Sequence, residues 1–145
     1  MCAASLLLVQ FAAQSPAQTA EAHRGPITIS QAWSPATPPT ATVAAVYFSV
    51  SNSGSQADLL LALSSPVAAR VELHESRDAH GVLEMRELTS LPCPAGATVL
   101  SRPGGLHVML IGLSRPLTAG TVFPLALRFR DAGTLTLQIP VVNRE

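Results

Sequence analysis

The sequence predicts an all-β domain, folded as an antiparallel sandwich or barrel. Short apolar runs recur along the chain, and turns that contain Pro, Gly, Asn or Ser separate them. Twelve prolines and nine glycines in 145 residues favour many short elements over a few long ones. No segment after residue 26 carries a long apolar repeat of helical period, so helix should be minor. About nine strands are expected, at the spacing typical of a sandwich.

The expected strands follow the turn signals in order. Residues 27–33 alternate apolar and polar side chains until Pro35 and Pro38-Pro39 interrupt the chain. The next strand ends at the turn sequence Asn52-Ser53-Gly54, and Pro103-Gly104-Gly105 forms a tight turn before a later one. The expected strand that ends at His74 is followed by a polar loop. The full set comprises residues 27–33, 43–50, 57–63, 67–74, 82–88, 97–100, 106–113, 121–130 and 134–142.

Composition indicates one folded domain and excludes several functions. Hydrophobic residues make up 48% of the chain and charged residues only 12%, which is ample for one core and too apolar for a disordered chain. The formal net charge is zero without a basic cluster, so nucleic acid is not an expected partner. The sequence contains no nucleophile elbow, phosphate loop or metalloprotease helix motif, and we expect a protein that is not an enzyme.

The N-terminal residues have the pattern of a secretory signal peptide. Residues 3–13 form an apolar stretch of suitable length, and Ala20-Glu21-Ala22 offers small residues at the positions that a signal peptidase reads. The stretch is too short to span a bilayer, so the mature protein is expected not to cross the membrane. The prediction is a signal peptide over residues 1–22, a single domain over residues 23–145, and a periplasmic location.

The rarest side chains fall close together in the expected strands. Apart from Met1, the chain has two methionines, Met85 and Met109, and two of its four histidines, His74 and His107, lie near them. Residues two apart on a strand share a face, so His107 and Met109 can direct an imidazole and a thioether to one point. The neutral, polarizable thioether favours Cu(I) over hard cations. A plain structural role, with methionine as core filler and histidine as a surface group, is the alternative for each residue.

Cysteine usage argues against a thiolate site. Cys2 lies in the expected signal peptide, and Cys93 lies between Pro92 and Pro94, where we expect a loop. One remaining cysteine excludes a disulfide framework and a Cys-rich zinc site. A blue-copper electron carrier needs a cysteine close in sequence to a histidine and a methionine, and Cys93 lies fourteen residues before His107.

The spacing of the four residues resembles a known family. His74-x10-Met85-x21-His107-x-Met109 matches the H-x10-M-x21-H-x-M signature of PCu(A)C-type periplasmic copper chaperones. The similarity extends over about residues 27 to 142. It includes the segments Ala32-Trp33-Ser34-Pro35, Ala44-Ala45-Val46-Tyr47-Phe48, Glu72-Leu73-His74-Glu75, Gly105-Leu106-His107-Val108-Met109-Leu110, Phe123-Pro124-Leu125 and Ala132-Gly133.

The resemblance implies a cupredoxin-like β-sandwich that binds one Cu(I) ion at its surface through His74, Met85, His107 and Met109. It further implies a monomeric metallochaperone that delivers copper to the CuA centre of cytochrome c oxidase, alongside a Sco-type thiol protein. Some members of the family carry a His- and Met-rich C-terminal tail that takes Cu(II); the sequence after Val142, Asn143-Arg144-Glu145, does not resemble it, so a Cu(II) role is not expected. Two alternatives stay open: copper buffering or resistance, and a metal-free adhesion or assembly domain.

Overall fold

The computed structural model describes residues 20–144, and within them every regular element is a β-strand. There are eleven strands: β1 Ala20–Arg24, β2 Ile27–Pro35, β3 Val43–Asn52, β4 Asp58–Ser64, β5 Ala68–Ala79, β6 Val82–Leu88, β7 Leu91–Cys93, β8 Thr98–Leu100, β9 Leu106–Leu113, β10 Val122–Phe129 and β11 Gly133–Val142. The all-β prediction is therefore confirmed. No helix in these residues is long and apolar enough to cross a membrane.

The strands pair along one path, β6-β5-β9-β3-β2-β11-β10-β4-β7, with β1 added to β2 and β8 added to β3. The path bends back on itself, because β4 contacts β5 and β7 contacts β3. Nine of the ten strand pairings are antiparallel, as expected of an antiparallel sandwich, but β2 and β11 run parallel where Val141 pairs with Ser34. The two ends of the folded-back sheet therefore enclose a single core.

Alternating side chains fill that core. On β2, Ile27 and Ile29 are fully buried, and Gln31 then adopts a positive φ of 54° at the point where the register to β3 shifts. The extra residue restores inward positions for Ala32 and Ser34, as expected of a β-bulge. The largest fully buried side chains are Phe48, Phe123, Ile27, Ile29, Leu60, Leu110, Leu125, Leu127 and Ile139.

Strand β5 continues well past the residue at which the sequence suggested that it ends. Instead of stopping at His74 before a loop, β5 runs to Ala79 and pairs with β6 through a tight hairpin. The turn residues His80 and Gly81 have positive φ values of 55° and 81°, which suits a two-residue hairpin turn. The Gly81 amide also donates to Asp78 Oδ1 at 2.8 Å. Pairing with β6 supplies the backbone partners that the polar sequence alone did not reveal.

Two further strands were not expected. Leu91–Cys93 forms β7 on the edge of β4, so the loop predicted for Cys93 was wrong, and its side chain is buried at 2% exposure. Strand β1 pairs with β2 and contacts β11. The predicted signal peptide lies mostly in residues 1–19, outside the described residues, and its last three residues belong to β1. The cleavage site after Ala22 stays a prediction.

Candidate metal-binding site

Strands β5 and β9 bring the two histidines face to face. His74 and His107 are directly opposed in the antiparallel pair, and their ring centroids lie 5.9 Å apart. The next pair on the same face is Glu72 opposite Met109. Two residues apart on each strand, these side chains form a square that contains an imidazole pair, a carboxylate and a thioether.

Strand β6 adds Met85 to the same face. Met85 pairs with Ser76, which lies two residues after His74 on β5. It is therefore a diagonal neighbour of His74, at a separation of about 7–8 Å between Cα atoms that long side chains span. Met109 lies on the other side of the histidine pair. It is two residues after His107 on β9 and is a diagonal neighbour of His74. The structure thus places all four sequence-predicted residues on one face, with the imidazoles between the two thioethers.

Exposure differs widely across this face. His107 is only 6% exposed and Met109 is half-buried, whereas Met85 is 54% exposed on the edge strand β6. The side chain of His74 is 15% exposed. The site is therefore not a uniform surface feature: its histidines are enclosed and one of its methionines lies in the open.

The ring of His107 is fixed by the turn before β9. Its Nδ1 donates to the Gly105 carbonyl over 2.9 Å. The same carbonyl accepts the Ser76 amide of β5 at 3.1 Å. Because the carbonyl only accepts, Nδ1 carries the proton, and Nε2 of the neutral ring keeps the lone pair that a metal needs.

The ring of His74 is held through Nε2, whereas that of His107 is held through Nδ1. Its Nε2 lies 2.9 Å from Glu72 Oε2. Its Nδ1 is buried and, among residues 20–144, is the one buried side-chain nitrogen or oxygen without a hydrogen-bond partner. Buried polar atoms in native proteins are normally paired. An unpaired imidazole nitrogen beside a second imidazole and two thioethers fits a metal ligand.

Glu72 and an aromatic pair are the neighbours that the sequence analysis did not single out. The spacing Glu72-x-His74 mirrors His107-x-Met109, so strand periodicity could have placed the carboxylate beside the site. Tyr47 lies two residues after Ala45, the partner of Met109, and its ring centroid is 4.9 Å from that of Trp33. Burial raises the pKa of Tyr47. The pair flanks the face on the β3 side.

The remaining metal-capable side chains lie elsewhere. Cys93 pairs with Asp58 on β4, away from β5, β6 and β9, and burial raises the pKa of its thiol. His80 is a hairpin turn residue and His23 lies on β1. In the part of the chain that the structure describes, no three His, Cys, Asp or Glu side chains form a metal-binding group. The candidate site differs because half of its donors are thioethers.

Fold and site together define the class: a cupredoxin-like, all-β domain with a histidine–methionine face. The family model described as "LpqE-like: Putative lipoprotein LpqE-like" matches residues 27–141, and the chain belongs to this family. A protein of Leifsonia xyli subsp. xyli (strain CTCB07), described as "Putative lipoprotein Lxx21020", is 35% identical over 130 residues. That match covers 89% of this chain and 75% of the relative.

Solved PCuAC domains share the fold. The copper-bound PCuAC domain from PmoF2 superimposes with a TM-score of 0.74 at 27% identity, over 86% of this chain and 98% of that domain. Apo-DR1885 from Deinococcus radiodurans gives 0.64 at 29% identity, over 99% and 97% of the two chains. The CuI form of DR1885 gives 0.65 at 27% identity, over 92% and 83%.

Proposed function

We propose that this protein binds one Cu(I) ion through His74, Met85, His107 and Met109. Four neutral donors hold a monovalent soft cation without leaving a net negative charge in a half-buried site. The observation that carries the proposal is the opposed histidine pair, in which His74 Nδ1 is buried without a partner while both rings are anchored through their other nitrogens.

The comparisons support copper as the metal. One similar structure is a copper-bound PCuAC domain, and another is the CuI form of DR1885. Methionine is also a ligand suited to an oxidising compartment, where exposed thiols tend to form disulfides. Relatives described as lipoproteins support an exported protein, and we propose a periplasmic location.

The arrangement of the donors further suggests delivery of the metal. Met85 lies on an edge strand and is 54% exposed, so a partner's ligand can replace this thioether first while the enclosed histidines still hold the ion. We propose that the protein is a metallochaperone, not an enzyme, and that it acts as a monomer. Its proposed acceptor is the CuA centre of cytochrome c oxidase, with a Sco-type thiol protein as a second partner.

Cu(I) titration of the folded protein against a colorimetric chelator tests the site. We expect one equivalent to bind. Replacement of His74, His107 or Met109 by Ala should weaken binding about tenfold or more, which corresponds to about 1.4 kcal/mol. Because His107 is buried, thermal unfolding of each variant must accompany the titration, so that loss of fold is separated from loss of a ligand.

Cys93 provides the matched control, since it is the other soft ligand in the described residues. Cys93→Ala should retain wild-type Cu(I) affinity because the thiol lies on β7, outside the proposed ligand set. An equal loss in this variant, with no loss in the histidine and methionine variants, would replace the proposed site by a thiolate site.

A copper-transfer experiment distinguishes delivery from storage. A chaperone should pass Cu(I) to a soluble CuA domain faster than copper released to a chelator reaches that domain, whereas a buffering or resistance protein should show no such advantage. A folded protein that takes up no Cu(I) would instead favour a metal-free adhesion or assembly domain.

A further inference from the structure

We propose that Glu72 is a positioning residue that directs His74 to bind copper through Nδ1, while His107 binds through Nε2. The inference deepens the proposed copper function and rests on it. It assigns different ligating nitrogens to two histidines that stand opposite each other on neighbouring strands.

The assignment follows from the hydrogen-bond partner of each ring. An ionised carboxylate accepts only, so the 2.9 Å contact with Glu72 Oε2 requires the proton of His74 on Nε2. The neutral ring then keeps its lone pair on Nδ1, the buried atom that lacks a partner. His107 has the reverse arrangement, because its Nδ1 donates to the Gly105 carbonyl. Partners of this kind fix both the tautomer and the orientation of a metal-binding imidazole.

Glu72 is itself held in place. Its side chain is 18% exposed and faces Met109 across the β5–β9 pair. Its other oxygen, Oε1, lies 3.6 Å from Nε of Arg70, whose side chain is 66% exposed. The carboxylate therefore has one contact with solvent-exposed charge and one with the imidazole. Rotating the His74 ring by half a turn would break the latter contact, so Glu72 favours a single ring orientation.

Glu87 offers a matched comparison. It lies directly opposite His74 on β6, and its carboxylate is exposed. Among residues 20–144, the contacts of His74 include a hydrogen bond to Glu72 and none to Glu87. Removing either carboxylate deletes one negative charge next to His74, but only the Glu72 change removes a hydrogen bond to its ring.

The first measurement uses the copper-free protein. In nitrogen-15 NMR spectra, the wild type should show a downfield, slowly exchanging His74 Nε2–H proton, because a carboxylate holds it. Glu72→Ala should lose this signal. Glu72→Gln should keep it, because the amide oxygen can still accept, and Glu87→Ala should leave it unchanged.

The second measurement uses the Cu(I) complex, which is diamagnetic. Long-range proton–nitrogen correlations should identify Nδ1 of His74 and Nε2 of His107 as ligands in the wild type. Glu72→Ala should lower Cu(I) affinity about 10- to 100-fold, the usual effect of losing such a partner, and give mixed His74 ligation. Glu72→Gln and Glu87→Ala should stay within about threefold of the wild type, well below that range.

The outcomes separate this inference from the copper function. If the wild type takes up Cu(I), and Glu72→Ala keeps both the wild-type affinity and ligation through His74 Nδ1, the role of Glu72 is overturned while the copper function stands. An equal loss in Glu87→Ala would overturn it too, since charge and not ring position would then be responsible. A wild type that shows the Nε2–H signal but binds no Cu(I) would refute the copper function and, with it, the role of Glu72 in metal binding.

Discussion

The β5–β6 and β10–β11 hairpins have the same topology but opposite burial. On β11, Leu135, Leu137, Ile139 and Val141 are buried at every second position. On β6, the side chains from Val82 to Glu87 are all exposed, and only Leu88 is partly covered. Strand β11 contributes a whole face to the core, while β6 contributes only Leu88 and otherwise extends beyond the core.

The two hairpins are also fastened differently. Asp58 of β4, which is 4% exposed, binds the turn of the β10–β11 hairpin. Its Oδ1 accepts the Asp131 amide at 3.0 Å and the Leu59 amide at 2.7 Å, and its Oδ2 accepts the Ala132 amide at 2.9 Å. Charged acceptors make the stronger hydrogen bonds in a buried setting.

In the β5–β6 hairpin, the side-chain contacts in the turn and between the strands are exposed: the hydrogen bond from the Gly81 amide to Asp78 in the turn, and two ion pairs. Arg86 lies 3.0 Å from Glu75, and Arg77 lies 3.5 Å from Glu84, on the face opposite Met85. Pairs of this kind contribute little to stability. The comparison indicates that stability resides in the half of the domain around Asp58, while the proposed ligand Met85 lies on an edge strand that contributes only Leu88 to the core packing.

The largest expected effect is on the Asp58 side. Asp58→Ala leaves three backbone N–H groups without their acceptor and should lower the free energy of unfolding by about 3 kcal/mol. Urea denaturation checks this. Cu(I) affinity of the folded variant should match the wild type, because β4 carries none of the proposed ligands.

Asp131→Ala is the control for that change. Asp131 pairs with Arg130 at 2.9 Å, but the side chains are 59% and 49% exposed, so a far smaller loss of stability than for Asp58→Ala is expected. If Asp58→Ala and Asp131→Ala destabilised the protein equally, the buried hydrogen bonds of Asp58 would not be what stabilises the β10–β11 turn.

The second largest effect is expected in the β5–β6 hairpin, on Cu(I) affinity. Met85→Leu keeps the size and apolar character of an exposed side chain but removes its sulfur. Cu(I) affinity should fall about tenfold or more, which is about 1.4 kcal/mol, while the unfolding midpoint stays unchanged. Leu83→Ala, two residues away on the same face, should change neither quantity. A Met85→Leu variant with full affinity would remove β6 from the site.

The contribution of Asp58 to stability should depend on pH. Burial raises the pKa of Asp58, but hydrogen bonds from the Asp131, Ala132 and Leu59 amides, with the nearby Arg130 charge, outweigh it and hold the pKa below its ordinary value. A carboxyl with a lower pKa in the folded state stabilises the fold above its unfolded-state pKa of about 4, and this contribution disappears as pH falls through the folded-state value.

The matched variant for this test is Asp58→Asn, which does not titrate. The difference in unfolding free energy between wild type and Asp58→Asn should narrow as pH falls below about 4. Urea denaturation over a pH series measures it. A difference that stays constant or widens at acid pH would contradict the assigned role of the ionised carboxylate.

The smallest effect is expected from Arg86→Ala. The Arg86 and Glu75 side chains are 58% and 42% exposed, so their pair should contribute about 0.5 kcal/mol or less, and salt should reduce that further. Denaturation at low and high salt tests this. A loss above about 1 kcal/mol would show that the β5–β6 hairpin depends on its surface pairs, contrary to the comparison.

Local patterns in the sequence were sufficient for the fold class and for placing His107 and Met109 on one strand face. Alternation in segments such as residues 27–33 reflects burial of one strand face, and that periodicity is visible without knowledge of the partner strand. The spacing of His107 and Met109 likewise follows from strand geometry alone. The exposed run from Val82 to Glu87 carried no burial signal, and its strand was expected from its place between two loop segments.

Tertiary pairing decided the rest. Strand β5 extends past His74 because β6 supplies partners for Glu75 to Ala79, and Cys93 is buried because its short strand is paired with β4. The sequence by itself determined which side chains of a single strand share a face. Only the three-dimensional structure decided which nitrogen of each imidazole is occupied. Glu72 and Gly105 each lie two residues before their histidine in the sequence, but only the folded conformation shows that the first contacts Nε2 of His74 and the second Nδ1 of His107.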